Sequence, residues 1–311
     1  MNDAAETTSG GLRAGDNITR GMLLTVVSIL VFGVQDAVSK VLVQDHSPFQ
    51  IVMLRYWAFG AVSLFFALRQ APLRQALKSS APLLQSLRGL LLMVDIWLFA
   101  HAIRTVPLAE LQAITLVYPL LVTLFAIPIL GEKVGLFRIG AVILGFIGAM
   151  VIVRPGGLPI DAGVIAALGS SAAYAIYITL TRKVSRTDST ATSMVYVGVI
   201  GLVLTTAVGV FYWQPLDWRA AIMVGVVMVT MVAGHGLMMK ALSLAPASVL
   251  QPFNYLSLPW GITLSFVVFG HLIDPVSLVG AAIVALAGLV VMARERRKAA
   301  VKAGIAGGLG D

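Results

Sequence analysis

The chain has 311 residues, of which 59% are hydrophobic and only 12% charged, with a mean hydropathy of +0.93. Soluble domains run at about 25% charged residues, so the composition excludes a soluble enzyme or binding module and indicates a polytopic membrane protein. The net charge of +8 calls for no nucleic acid, because positive residues on one membrane face and anionic lipid account for it. There is no cysteine, which removes disulfides, thiol chemistry and thiolate metal sites.

Residues 1–20 read as a polar tail with Arg13 and Arg20. The apolar run behind them is too long for a signal peptide, contains Gln35 and Asp36 and lacks a clear cleavage site, so a retained helix is expected. Ten apolar stretches follow, each near the ~20 residues that cross a hydrocarbon core. They cover 21–43, 48–68, 82–103, 108–130, 134–153, 161–181, 191–213, 218–242, 247–269 and 275–293. Residues 294–311 form a basic tail.

The ten stretches are two copies of one five-helix unit, at 21–156 and 157–293. Pro107 falls on Pro246 and Gln112 on Gln251 at a shift of 139; Pro119 falls on Pro259, Gly140 on Gly280 and Gly148 on Gly288 at 140. The first helices match more weakly at 142, Gly21 with Gly163 and Lys40 with Arg182. A unit with an odd number of helices ends on the side opposite its start, so its second copy enters upside down. The expected fold class is therefore all-α integral membrane, with ten transmembrane helices as two inverted repeats. That is a transporter architecture, with the site near the midplane between the halves.

Orientation follows from the basic residues. Of the 22 lysines and arginines, Lys40, Arg104, Arg154 and Arg219 fall on one face, and Arg55 and Arg88 lie inside helices. The other 16 (22 less 4 less 2) fall on the face shared by both termini, which places both ends in the cytoplasm.

Helices four and nine are interrupted by proline in matching places, Pro119 and Pro128 in one, Pro252 and Pro259 in the other. Each proline frees a carbonyl that must find a partner in protein or cavity water. Such pairs mark a substrate site, or else simply kink the helices. Gln112, Thr115 and Tyr118 flank the first break; Gln251, Asn254, Tyr255 and Trp260 flank the second. With Tyr174 and Tyr177 of the sixth helix, these suit a cavity for an organic solute with apolar and polar parts.

Ionisable groups inside helices are costly and need a reason. Asp36, Lys40, Arg55, Asp95 and His101 are expected at similar depths, with Asp36 and Lys40 one turn apart and able to pair. Arg55 has Asp36 or Asp95 as partner. These groups either hold the fold together or recognise an ionic substrate or couple protons. Gly135, Gly140, Gly145 and Gly148 thin the fifth helix for close packing or for a dimer face.

The run Ile114–Val134, closing on Leu130-Gly131-Glu132, resembles the EamA repeat of the drug/metabolite transporter superfamily, as do Pro48–Arg55 and the glycine-rich fifth helix. The second copy departs at the closing motif, reading Phe269-Gly270-His271. The chain as a whole resembles bacterial amino-acid exporters of that group, the aromatic amino-acid exporters included. The resemblance implies ten helices, a place in the inner membrane, and export of amino acids by alternating access through a central cavity. Export of drugs or nucleobase-like metabolites is the alternative on the same fold. The expected partners are a small-molecule substrate and the lipid bilayer. A monomer without cofactor or metal is expected, and no enzyme: neither a P-loop, an H-E-x-x-H nor a G-x-S-x-G motif occurs.

Overall fold

The structure, a computed structural model, describes residues 4–70, 78–132, 134–153, 161–245 and 250–307, with side chains described over a smaller set. Among these residues there are helices and turns and no strand. Helices α1 (Ala4–Asp45), α2 (Pro48–Gln70) and α3 (Pro82–Thr105) open the first repeat. The fourth span is split into α4 (Leu108–Thr115) and α5 (Tyr118–Leu130), and α6 (Leu136–Val153) closes the repeat. The second repeat has α7 (Ala162–Val184), α8 (Thr190–Gly209) and α9 (Trp218–Leu244). Its broken span follows, a 3₁₀ stretch Gln251–Leu256 leading into α10 (Ser257–Phe269), and then α11 (Pro275–Gly307). Helix α1 is continuous from Ala4, through the stretch that reads as a tail.

The two broken spans share a cause. Pro119 has no N–H and its ring crowds the carbonyl four residues back, so α4 stops at Thr115 and the chain turns through Leu116 and Val117 before restarting. Thr123 Oγ1 donates to the Pro119 carbonyl at 3.3 Å, and Thr263 Oγ1 to the Pro259 carbonyl at 2.8 Å. Both spans end on a left-handed glycine, Gly131 at φ 68° and Gly270 at φ 65°, the two positive-φ residues described. A side chain at either position is strained.

Helix contacts obey the inversion. Helix α1 packs on α9 and its counterpart α7 packs on α3; α2 packs on α8, α6 on α11, and α4 on α10. Each pairing joins one repeat to the other and maps onto itself or onto another pairing when the repeats are exchanged. The crossing of α6 with α11 is backbone on backbone: a Cβ at Gly280 would lie 2.6 Å from the Gly148 carbonyl oxygen. The core runs through Ile103, Leu111, Ile114, Val117, Ile152 and Val284. The periphery shows exposed Leu23, Ile143, Val229 and Leu286, the inside-out surface that lipid solvates.

Among the described residues eight spans, the split fourth counted as one, are long and apolar enough to cross a membrane; α2 and the broken ninth span complete the ten. After ten crossings both ends of the bundle lie on one face, called here the termini face, with the α2–α3 and α7–α8 connections. The α1–α2, α3–α4 and α8–α9 connections lie on the far face.

Candidate functional site

At the centre, Asp36 Oδ2 on α1 accepts from Gln112 Nε2 on α4 at 2.9 Å. Gln112 is buried and packs over Gly261 of α10, so this acid sits where both broken spans cross. Arg55 of α2 is the cation whose field reaches Asp36, and the same field reaches His235 on α9. No direct ion pair joins Asp36 to Arg55 or Lys40 among the described residues. The expected Asp36–Lys40 pair is replaced: Lys40 Nζ donates to the carbonyls of Ile103 and Val106, both at 2.7 Å. The last carbonyls of a helix lack intrahelical donors, and those of α3 draw the ammonium away from its neighbour on α1.

The remaining groups selected from the sequence divide. Asp95 accepts from Ser170 Oγ of α7 at 2.6 Å, which ties it to the second repeat and not to Arg55. His101 is exposed on the far face. The charged residues are thus spread over three places instead of forming one cluster.

The tyrosines form a ladder. Asn254 Nδ2 donates to Tyr118 OH at 3.3 Å. Tyr118 meets Tyr174 edge to face at 4.9 Å between centroids, Tyr174 stacks on Tyr177 at 5.8 Å, and the Arg88 guanidinium lies 5.5 Å over the Tyr177 ring. This chain of π faces runs from the crossing of the broken spans toward the termini face. Pro119 is half-buried beside it. Tyr255 is buried in the apolar core with its hydroxyl over Gly288. Trp260 donates from Nε1 to the Leu30 carbonyl at 3.0 Å and packs on Gly33, pinning α10 to α1. The side chain of Gln251 lies outside the described residues.

Two features escaped the sequence reading. On the termini face, Asp188 in the α7–α8 connection accepts from Ser79 Oγ and Ser80 Oγ, from the Ser80 N–H at 2.9 Å and from Gln85 Nε2 at 2.8 Å. Arg88 continues the network to Thr181 and to the Ser193 carbonyl. Arg182 pairs with Glu132 nearby at 2.9 Å. These contacts fasten one repeat to the other. Desolvation pushes the Asp188 carboxyl up, but the hydrogen bonds from Ser79, Ser80 and Gln85 outweigh it and hold the group well below the usual carboxylate range. A depressed folded-state pKa contributes stability above the unfolded value and loses it only as pH falls through the folded value. Protection of residues 78–81 and 185–189 from hydrogen exchange, corrected for intrinsic rates, is therefore expected to persist at pH ~4, where an ordinary aspartate is half protonated. Asp188→Asn is expected to lose that protection at every pH. Equal protection in the variant defeats the assignment.

On the far face a cavity of about 320 Å³ opens between the repeats, with Phe49, Trp97, His101, Arg104 and Tyr212 in its wall. Of the residues singled out as site candidates, His101 lines it; the ladder tyrosines do not. Below it a void of about 10 Å³ reaches Arg55, whose Nε has no hydrogen-bond partner.

A ten-span bundle of two inverted repeats, with interrupted helices crossing at a polar layer, is the architecture of a membrane carrier. The chain belongs to the EamA-like transporter family of the drug/metabolite transporter superfamily, whose model matches residues 19–154 and again 161–294. It is similar to a riboflavin transporter of Vibrio cholerae, 29% identical over 90% of this chain and 95% of that one. It is also similar to an S-adenosylmethionine uptake transporter of Rickettsia prowazekii, 22% identical over 97% of this chain and 99% of that one. A solved crystal structure shares the fold at a TM-score of 0.60 and 18% identity, covering 90% of this chain and 98% of its own.

Proposed function

We propose that this protein is a secondary transporter working by alternating access in the bacterial inner membrane, and that its solute is a planar heteroaromatic metabolite with a polar chain. The observation that carries the reading is the Tyr118–Tyr174–Tyr177 ladder, which starts where the broken spans cross and Asp36, Gln112 and Asn254 gather. Stacked tyrosine faces receive flat rings, and the carboxylate, amide and phenol groups beside them suit hydroxyls and amines. The named solutes of the two relatives, riboflavin and S-adenosylmethionine, both join a ring system to a polar chain. Uptake is the direction we assign, against the amino-acid export that the sequence suggests, because the relative aligned almost end to end is named for uptake. S-adenosylmethionine carries an amino-acid group, so amino acids belong in the same screen.

The test is flux into liposomes holding the purified protein, with radiolabelled riboflavin, S-adenosylmethionine and phenylalanine. Saturable uptake of a heteroaromatic solute, with half-saturation raised about fivefold by Tyr174→Leu, is expected, since an aromatic partner contributes about 1 kcal/mol beyond its buried area. Flux that rises linearly without saturation, or preference for phenylalanine over both other solutes, refutes the proposed solute class.

Both termini are assigned to the cytoplasm on the charge bias of 16 to 4. A fluorescent cytoplasmic reporter fused after Asp311 is expected to glow and an alkaline-phosphatase fusion there to stay inactive. The reverse pattern inverts the assignment.

A further inference from the structure

We propose that the far-face vestibule is a second solute site, which takes up the flat ring of a heteroaromatic solute before it reaches the central layer. The proposal rests on the transport reading above and adds to it a place, a geometry and a ring chemistry.

The volume, about 320 Å³, is at the lower end of the range for pockets that hold small organic molecules. Its walls are aromatic. Phe49 stacks on Tyr212 at 4.7 Å and 30°, and Trp97 meets Phe49 edge-on at 5.9 Å and 67°. The three rings come from α2, from the end of the α8 span and from α3, so the site is built by both repeats. Tyr212 is 47% exposed, so part of its ring is open to a further partner.

The polar atoms are left unmatched. Trp97 Nε1 and His46 Nδ1 are both buried and neither has a hydrogen-bond partner. Buried polar atoms normally find one, and an indole N–H can only donate. A ligand that fits supplies an acceptor at the edge of a flat ring, a ring carbonyl or an imino nitrogen, to Trp97. Asp45 and Arg104 also line the cavity and offer an anion and a cation to a polar chain. Aliphatic amino acids and sugars lack the flat face; benzene-ring solutes lack the ring-edge acceptor.

The vestibule also leads somewhere. Pro48 lines both this cavity and the small void beneath it, whose wall includes Arg55 and Ser39. Ser39 Oγ and Arg55 Nε are buried without partners, and Arg55 is the cation that acts on Asp36. A line of unmatched polar atoms, His46, Trp97, Ser39 and Arg55, thus leads from the far face to the central acid.

The probe is riboflavin, measured by equilibrium binding to the protein in nanodiscs and by uptake into liposomes. The wild-type chain is expected to bind two riboflavins. Tyr212→Leu, which removes a half-exposed ring, and Trp97→Phe, which keeps a ring and removes the indole N–H, are each expected to abolish one site and to raise the half-saturation of uptake about fivefold, the effect of losing one aromatic partner or one hydrogen bond. Tyr118→Leu is expected to abolish the other site. One riboflavin per wild-type chain, untouched by both vestibule variants, overturns the vestibule while saturable uptake keeps the transport reading. Binding that the vestibule variants weaken, with no uptake by wild type, supports the vestibule and overturns the transport reading. No binding at all overturns the vestibule.

Discussion

The double variant Asp36→Asn with Arg55→Gln is expected to fold and insert and to lose transport about tenfold to a hundredfold. Asn keeps an acceptor for Gln112 Nε2, which lies 2.9 Å from Asp36 in the native chain, and Gln keeps donors near the void below the vestibule. What disappears is both charges. A hydrogen bond to a charged group contributes about 1.5–3 kcal/mol, which corresponds to about that range of rates. Asp36→Asn alone leaves Arg55 buried without the negative charge whose field reaches it, so a fall in folded protein is expected there and the double variant is the cleaner test. Native transport by the double variant shows that neither charge takes part. Loss of the pH dependence of transport in folded Asp36→Asn favours proton coupling through this residue.

The asymmetry of the repeats supports placing a task here. Asp36 corresponds to Ile178 at the shift of 142, so the second repeat has no matching acid. A pair needed only to hold one repeat together has no reason to be missing from the other.

Gly280→Leu is expected to destabilise the protein more than any other single change at the helix crossings. Its Cβ would lie 2.6 Å from the Gly148 oxygen, 2.8 Å from Ile152 Cγ1 and 3.1 Å from the Ile152 nitrogen. Two of those three atoms are backbone, which no rotamer change can move. Overpacking of a tight core costs about 1–3 kcal/mol where side chains can adjust, and here α6 and α11 must separate. Gly140→Leu, at the matching position of the first repeat, is the control: nothing lies within 4 Å of a Cβ there, and an effect within about 0.5 kcal/mol is expected. Thermal unfolding in detergent and the yield of folded protein read both. Equal losses for the two variants contradict the crossing geometry.

Gly140 and Gly280 occupy the same repeat position, yet one faces open space and the other a backbone. This shows how far the sequence can be read. Spans, breaks and inversion are local or periodic properties: Pro119 and Pro259 must interrupt a helix wherever they stand, and ten apolar stretches of two matching kinds imply the inversion that the helix contacts obey. Partner choice across the bundle is not local. Lys40 and Asp36 have the spacing of a helical ion pair, but the carbonyls of Ile103 and Val106 compete for the ammonium, and nothing near residue 40 announces them. Asp188 reaches Ser79 across 109 residues. In sequence it is one acid in a polar connection, with the capping residue Ser189 behind it. Trp97 reads as one mid-helix aromatic among many until Phe49 and Tyr212 are placed around it. Of the five groups expected as a charge cluster, the fold keeps Asp36 and Arg55 in each other's field, gives Lys40 and Asp95 other partners and sends His101 to the vestibule.

The bonds that fasten the two faces have unequal chemistry. On the termini side an anion is saturated by serine and glutamine donors and a guanidinium grips a carboxylate; on the other side Gln50 exchanges hydrogen bonds with the Gln214 backbone and His271 donates to Glu110. The water bathing each side therefore has its own lever on the resting posture of the empty protein. A change of posture by tenfold needs only about 1.4 kcal/mol, about the worth of one such hydrogen bond. Loosening the bonds on one face therefore leaves those on the other in place, and each face can open by itself.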